Sequence, residues 1–132
     1  MEDLTITAVD LTRRAAEAAL GRKAEELVAL DVRELTSYAQ FFLICHGTNS
    51  RQVIAIAEAI CADLKASCGE LPLGIEGLES ARWVLVDFGD LVVHVFDEHL
   101  RRFYDIEGLW VDAPRLELPA EACPAGTASA FA

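Results

Sequence analysis

The tightest constraint on the fold is a hairpin pattern in the second half of the chain. Residues 83–88 and 91–96 are mostly apolar runs rich in β-branched and aromatic side chains, separated only by Gly89-Asp90. Glycine in the first position of a two-residue connection favours a type II′ turn, whose twist matches that of the flanking strands. The sequence therefore predicts two antiparallel strands in which Trp83 lies opposite Phe96.

This register divides the side chains of the hairpin between two faces of different chemistry. The first face carries apolar side chains only, namely Val84, Val86, Phe88, Leu91, Val93 and Val95. The second face mixes large aromatic residues with ionisable ones, namely Trp83, Leu85, Asp87, Val92, His94 and Phe96. The first face suits packing against a helix, whereas the second suits either the centre of a protein interface or a further covering helix.

The remaining segments complete one α/β layer structure. The predicted elements are, in chain order, a helix at 8–20, strands at 27–32 and 41–45, a helix at 50–68, an extended piece at 73–75, and a short helix from Asp97 to Tyr104. The fold class is α/β, a single-domain mixed β-sheet of about four or five strands flanked by helices. Residues 1–114 are assigned to this domain, and the Ala/Pro-rich residues 115–132 are predicted to be a C-terminal tail with little intrinsic order.

Charge and composition exclude several classes of function. The chain has 22 acidic against 11 Lys and Arg residues, a formal net charge of −11, which argues against direct nucleic-acid binding and favours a basic partner. No apolar run is long enough to span a bilayer, and the first residues lack the features of a signal peptide. A cytoplasmic protein without membrane contact is therefore expected. The four cysteines form no C-x-x-C pair, so free thiols are predicted.

Candidate catalytic groups form only weak patterns. Asp87 and His94 share a face of the hairpin, but no nucleophile can be placed beside them, so a structural hydrogen-bonded pair is predicted. The segment 47–50 precedes a helix and resembles a helix cap more than an anion cradle. Neither a metal nor a cofactor is expected, because the histidines share no ligand spacing. Two alternatives stay open: a nucleotidyltransferase-like enzyme that uses Asp87 and the Gly47 turn, and a homodimeric scaffold that associates through the Trp83 face.

Several segments together carry a family resemblance. They are Ala29-Leu30-Asp31-Val32, Gly47-Thr48-Asn49-Ser50-Arg51-Gln52-Val53, Pro72-Leu73-Gly74-Ile75-Glu76-Gly77, residues 82–90 (RWVLVDFGD), His94-Val95-Phe96 and residues 101–110 (RRFYDIEGLW). Their sequences and their order are similar to those of the ribosomal silencing factor family (RsfS, also called Iojap). The resemblance covers about residues 8–114.

The resemblance implies a non-enzymatic translational repressor with a nucleotidyltransferase-like fold that has lost its active site. Members of the family bind ribosomal protein fourteen on the intersubunit face of the large ribosomal subunit, and they block joining of the small subunit when nutrients are scarce. The resemblance places the contact near Trp83, and Phe88 matches a second contact position although the register puts it on the opposite face. Glu76, Asp87 and Tyr104 lie in matching motifs as further candidate contacts.

Overall fold

The computed structural model describes residues 7–118. The strands are β1 (Glu25–Asp31), β2 (Phe41–Gly47), β3 (Gly74–Glu76), β4 (Trp83–Asp87) and β5 (Leu91–Asp97). The helices are α1 (Ala8–Leu20), α2 (Ser50–Cys68), α3 (Glu98–Tyr104) and α4 (Ile106–Leu109). The strands form one five-stranded sheet in the order β1-β2-β5-β4-β3. All neighbouring pairs are antiparallel except β2 and β5, which run parallel, so the predicted mixed sheet is confirmed.

The predicted hairpin register is confirmed residue by residue. Trp83 lies opposite Phe96 and Asp87 opposite Val92, with continuous pairing between them. Gly89 in the turn has a φ of 92°, a backbone conformation that glycine adopts without steric cost. Side chains along β4 and β5 therefore alternate between the two faces as the sequence predicts.

The first sheet face lies beneath α1 and α2. The hairpin valines of this face are fully buried there, together with apolar side chains from both helices. Strand β2 is buried along its whole length, as its unbroken apolar sequence predicts, because its other side chains face a second core. This first core is the larger of the two and holds the helices on the sheet.

The second sheet face is covered over only part of its width. Ile106 of α4 and Ala113 pack there on Phe42, Ile44 and Phe96, which belong to β2 and β5. Side chains of β4 on this face are only half-buried. The sequence left two interpretations of this face, a covered one and an open one. The structure shows a covered half over β2 and β5 and a more open half at β4.

Capping side chains and a glycine set the helix boundaries. The side chain of Thr7 accepts a hydrogen bond from the backbone N–H of Asp10, and Asp97 caps α3. Helix α2 ends at Gly69, which has a left-handed φ of 70°. The four-residue helix α4 is an addition to the prediction, since a single turn shows no apolar period.

The first residues of the predicted tail run beside β1. Arg115 forms an antiparallel bridge with Leu30, and the backbone N–H of Leu116 donates to the carbonyl of Ala29 at 2.8 Å. Leu116 and Leu118 also pack against the first core. Arg115 and Leu116 thus bond to the edge of β1, whereas residues 119–132 lie outside the described part and their predicted tail character stays a prediction.

Candidate partner-binding surface

The open half of the second sheet face carries most of the predicted contact residues. Trp83 and Leu85 of β4 are half-buried there, and Asp87 ends the same strand. Glu76 of β3 lies opposite Leu85 in the register, so its side chain shares this face. Tyr104 of α3 completes the group, with its ring centroid 5.0 Å from that of Trp83. We call these five residues the Trp83 surface.

Three contacts fix the indole of Trp83. The ring stacks on Phe96 with centroids 4.9 Å apart and leans against Tyr104. The indole Nε1–H donates a hydrogen bond to Nδ1 of His94 at 3.2 Å. A large aromatic side chain held in one orientation loses little rotamer entropy on binding, which suits an interface anchor.

His94 supports this orientation from beneath the surface. It is only 5% exposed, and the edge of Phe42 approaches it with centroids 5.2 Å apart. Burial lowers the pKa of His94 to about 4, so the ring is neutral at neutral pH. Because Nδ1 accepts from Trp83, the single proton lies on Nε2, which is buried and has no partner among the described residues.

The predicted hydrogen-bonded pair of Asp87 and His94 is wrong. Asp87 Oδ1 accepts a hydrogen bond from the backbone N–H of Gly89 at 2.8 Å, while His94 bonds to Trp83. An aspartate at the edge of a tight turn finds a backbone donor two residues away, and this local bond competes with a longer contact across strands. Asp87 therefore shapes the turn and leaves its other oxygen for a partner.

Phe88 does not belong to the Trp83 surface. It is 6% exposed and packs in the first core, on the face opposite Trp83. The continuous register through Asp87 contains no bulge that would turn Phe88 round. The predicted alternation of hairpin side chains between the two sheet faces is confirmed. The position of Phe88 gives no support to its assignment as a contact residue.

The structure separates the groups that a nucleotidyltransferase site would need. Gly47 lies beside Asp97 and Asp87 beside Val92, at opposite ends of β5. Along β5 the two positions are five residue steps apart, about 16 Å at the usual rise per residue. Within residues 7–118 no group of three or more His, Cys, Asp or Glu side chains is placed to hold a metal ion.

Neither the turn before α2 nor the adjacent cysteine shows catalytic features. Asn49 caps α2 by accepting from the backbone N–H of Gln52 at 2.9 Å, which confirms the predicted cap. The Gln52 side chain accepts from the N–H of Thr48 and donates to the carbonyl of Lys23, which joins α2 to the segment after α1. Burial raises the pKa of Cys45 to about 12, so its thiol is not a ready nucleophile.

A buried polar network lies at the other end of this face and was missed in the sequence. Arg101 is 6% exposed and makes two hydrogen bonds of 3.0 Å to the carboxylate of Glu107. The same guanidinium contacts Nδ1 of His46 at 2.9 Å and donates to the backbone carbonyl of Glu25. These contacts tie α3 and α4 to β1 and β2. The sequence signal for it is limited to the mixture of charged and aromatic residues over 101–110.

Fold and surface together define a class: a small mixed α/β domain with an aromatic, acidic surface on the open half of one sheet face. Of the helices formed by the described residues, none combines the length and apolarity that a membrane crossing needs. A family model described as "Ribosomal silencing factor during starvation" matches residues 5–130. The chain therefore belongs to the ribosomal silencing factor family, and the resemblance found in its motifs is confirmed.

Individual relatives agree with this assignment. The ribosomal silencing factor RsfS of Halalkalibacterium halodurans is 46% identical, over 83% of this chain and 92% of that protein. A crystal structure of a protein from Chromobacterium violaceum superposes with a TM-score of 0.77 at 36% identity, covering 92% of this chain and 99% of that one. A more distant mouse relative, "Mitochondrial assembly of ribosomal large subunit protein 1", is 29% identical over 76% of this chain and 47% of its own length.

Proposed function

We propose that this protein represses translation by binding the large ribosomal subunit and preventing the small subunit from joining it. The proposed partner is ribosomal protein fourteen on the intersubunit face, and the proposed place of action is the cytoplasm, where subunits join. Family membership supports a role on the ribosome. The observation that carries the proposal is the partly exposed indole of Trp83, fixed by Phe96, Tyr104 and His94.

Charge supports a basic protein as the partner. Glu76 and Asp87 flank the aromatic centre of the Trp83 surface, and the chain carries a formal net charge of −11. Carboxylates beside a fixed indole suit Arg or Lys side chains, which bond to the carboxylates and also stack on the aromatic face. The same charge repels exposed ribosomal RNA, so it favours docking on protein.

The proposed mechanism is steric and needs no covalent step. A docked domain occupies space that the small subunit must enter, so the two compete for the large subunit. The fraction of subunits that join then falls as the factor saturates its site, in the manner of simple mass action. Repression is therefore set by the concentration of the factor and by its dissociation constant.

Co-sedimentation with purified large subunits tests this proposal. Trp83→Ala removes the proposed anchor, and we expect the affinity to fall about thirtyfold, equivalent to ~2 kcal/mol. Tyr38→Ala is the matched control, because Tyr38 is an aromatic residue 67% exposed outside the Trp83 surface. Equal binding of the two variants contradicts the proposal. Size-exclusion chromatography of both proteins tests the alternative, since Trp83→Ala splits a dimer that associates through this face.

A further inference from the structure

An apolar groove lies on the opposite side of β3 from the Trp83 surface. Its cavity is about 410 Å³ and opens between the outer side of α2 and the segment that leads through β3. Ala57, Cys61 and Ala62 of α2 form one wall. The other wall consists of Leu71, Pro72, Ile75 and Leu78. The proposed function above uses none of these side chains.

The outer wall exposes more apolar surface than folding requires. The exposed fractions are 61% for Leu71, 40% for Ile75 and 37% for Leu78, and Leu73, which lies between them in the sequence but does not line the groove, is 77% exposed. Single exposed apolar residues are ordinary, but a contiguous group beside a groove is typical of an interaction site. The first core would lose little if these four side chains were polar, because none of them is buried in it.

The groove is already formed in the isolated protein. The backbone N–H of Leu73 donates to the carbonyl of Asp87 at 2.7 Å, and the N–H of Ala81 donates to the carbonyl of Gly77 at 2.9 Å. Gly77 has a φ of 92° and lies so close to the carbonyl of Trp83 that a side chain would overlap it. The wall is therefore fastened to β4, and an incoming segment would not have to order it.

The charges around the groove select the chemistry of its occupant. Glu58 lines it together with one cation, Lys65. Glu70 and Glu79 adjoin the apolar wall residues in the sequence. Apolar side chains flanked by Lys or Arg match this arrangement, as in an amphipathic helix laid into a groove. A second copy of this acidic chain does not match it.

The groove is also continuous with the Trp83 surface. Ile75 and Glu76 are consecutive residues of the edge strand β3, so their side chains point to opposite faces of the sheet. We propose that the α2–β3 groove receives a basic amphipathic segment of the ribosomal protein partner, which passes round the β3 edge from the Trp83 surface. This inference rests on the proposed function and adds a second contact to it.

Filling the groove tests the inference. Ala62 is an exposed groove residue of α2, so Ala62→Trp blocks the groove without disturbing buried packing. Ala66→Trp is the matched control, since Ala66 is exposed on the same helix outside the groove lining. We expect Ala62→Trp to bind purified large subunits about tenfold more weakly, as for loss of one anchored side chain, and Ala66→Trp to bind like the parent protein. Circular dichroism melting verifies that both variants are folded.

Charge reversal provides a second pair. Glu58→Lys at the groove weakens binding, whereas Glu34→Lys, at an exposed position outside the groove, has a smaller effect. If folded Ala62→Trp binds large subunits as tightly as the parent protein does, the groove contact is wrong. If Trp83→Ala loses affinity in the same experiment, the proposed function still holds. Failure of the unmodified protein to bind large subunits overturns both.

Crosslinking identifies the class of partner. A photo-crosslinker is attached through Glu79→Cys in a chain in which Cys61, Cys68 and Cys123 are serine. Irradiation on the large subunit should give an adduct with a ribosomal protein. An adduct with ribosomal RNA alone, or none in the bound state, overturns the assignment of a basic protein segment to the groove.

Discussion

The contact between Trp83 and His94 is the side-chain pair on which the proposed surface depends. The bond requires a neutral imidazole, because a protonated ring has no lone pair on Nδ1 to accept the indole N–H. Burial supplies that condition by lowering the pKa of His94 to about 4. The orientation of the anchor is therefore coupled to the burial of a residue behind it.

This coupling predicts how stability depends on pH. His94 has a pKa of about 4 in the folded protein and an ordinary value of 6.5, so between these values the unfolded chain binds more protons. The free energy of unfolding should therefore fall as the pH is lowered from 6.5 to 4, by up to about 3 kcal/mol from this group. Urea unfolding at a series of pH values measures the slope.

His94→Gln is the control for this pH dependence. Glutamine offers an amide oxygen to the Trp83 indole but does not titrate. The variant should lose the part of the slope between pH 4 and 6.5 that belongs to His94. If the unfolding free energies of the two proteins change in parallel over this range, the assignment of a depressed pKa to His94 is wrong.

Much of this site could be predicted from residue types, but its bonding could not. Trp83 was identified because a large aromatic residue shared a strand face with ionisable groups. The sequence wrongly pairs His94 with Asp87, because the strand register shows only which residues are neighbours. Which neighbour bonds to His94 depends on the rotamer of Trp83 and on the hydrogen bond that Asp87 accepts from the Gly89 N–H. Glu76 and Tyr104 came from the family motifs, and periodicity contained no signal for them.

Among the loops and strands, Gly77 fixes the position of the edge strand. Gly77→Ala places a methyl group against the Trp83 carbonyl at a left-handed φ, so we expect a loss of at least about 2 kcal/mol in unfolding free energy. Gly74→Ala in β3 meets no atom within 4 Å and should be close to neutral. Thermal melting of the two variants measures the difference, and equal midpoints would show that the close approach at Gly77 is not a constraint.

Helices α3 and α4 depend on the buried ion pair. Arg101→Gln leaves the Glu107 carboxylate without its bidentate partner, and we expect a loss of about 3 kcal/mol. Arg102→Gln is the adjacent control, because its bond to Glu98 lies at the surface, where solvent screens it, so its loss should change the unfolding free energy much less. Guanidinium unfolding compares them. Similar losses in both variants contradict a special role for the buried pair.

Local pattern accounts for the elements that were predicted correctly and for those that were not. The hairpin, α1 and α2 carry their own periodicity, caps and turn residues, so the sequence alone located them. Strand β1 begins two residues earlier than predicted, at Glu25, through a bulge that gives Glu26 a φ of 50°. Helix α4 and the pairing of Arg115 with Leu30 depend on contacts distant in sequence, which no local window contains.

For the molecule as a whole, the path of the chain after α3 decides which part of the sheet stays open. From Tyr104 the backbone turns towards β1, and α4 and Ala113 cover β2 and β5. The β4–β3 edge is left with the Trp83 surface on one side and the α2–β3 groove on the other. The sequence predicted two faces of different chemistry. Which half of the second face is covered depends on α4 and Ala113, whose contacts with the sheet are distant in sequence, so it could not be predicted.

A subunit-joining assay tests most directly whether this domain represses translation by occupying space. Purified large and small subunits are mixed with increasing factor, and light scattering reports the joined ribosomes. We predict that the unmodified protein reduces joining at saturation and that Trp83→Ala needs about thirtyfold more protein for the same effect. Joining that stays unchanged at saturating concentrations of the folded, unmodified protein would contradict the account.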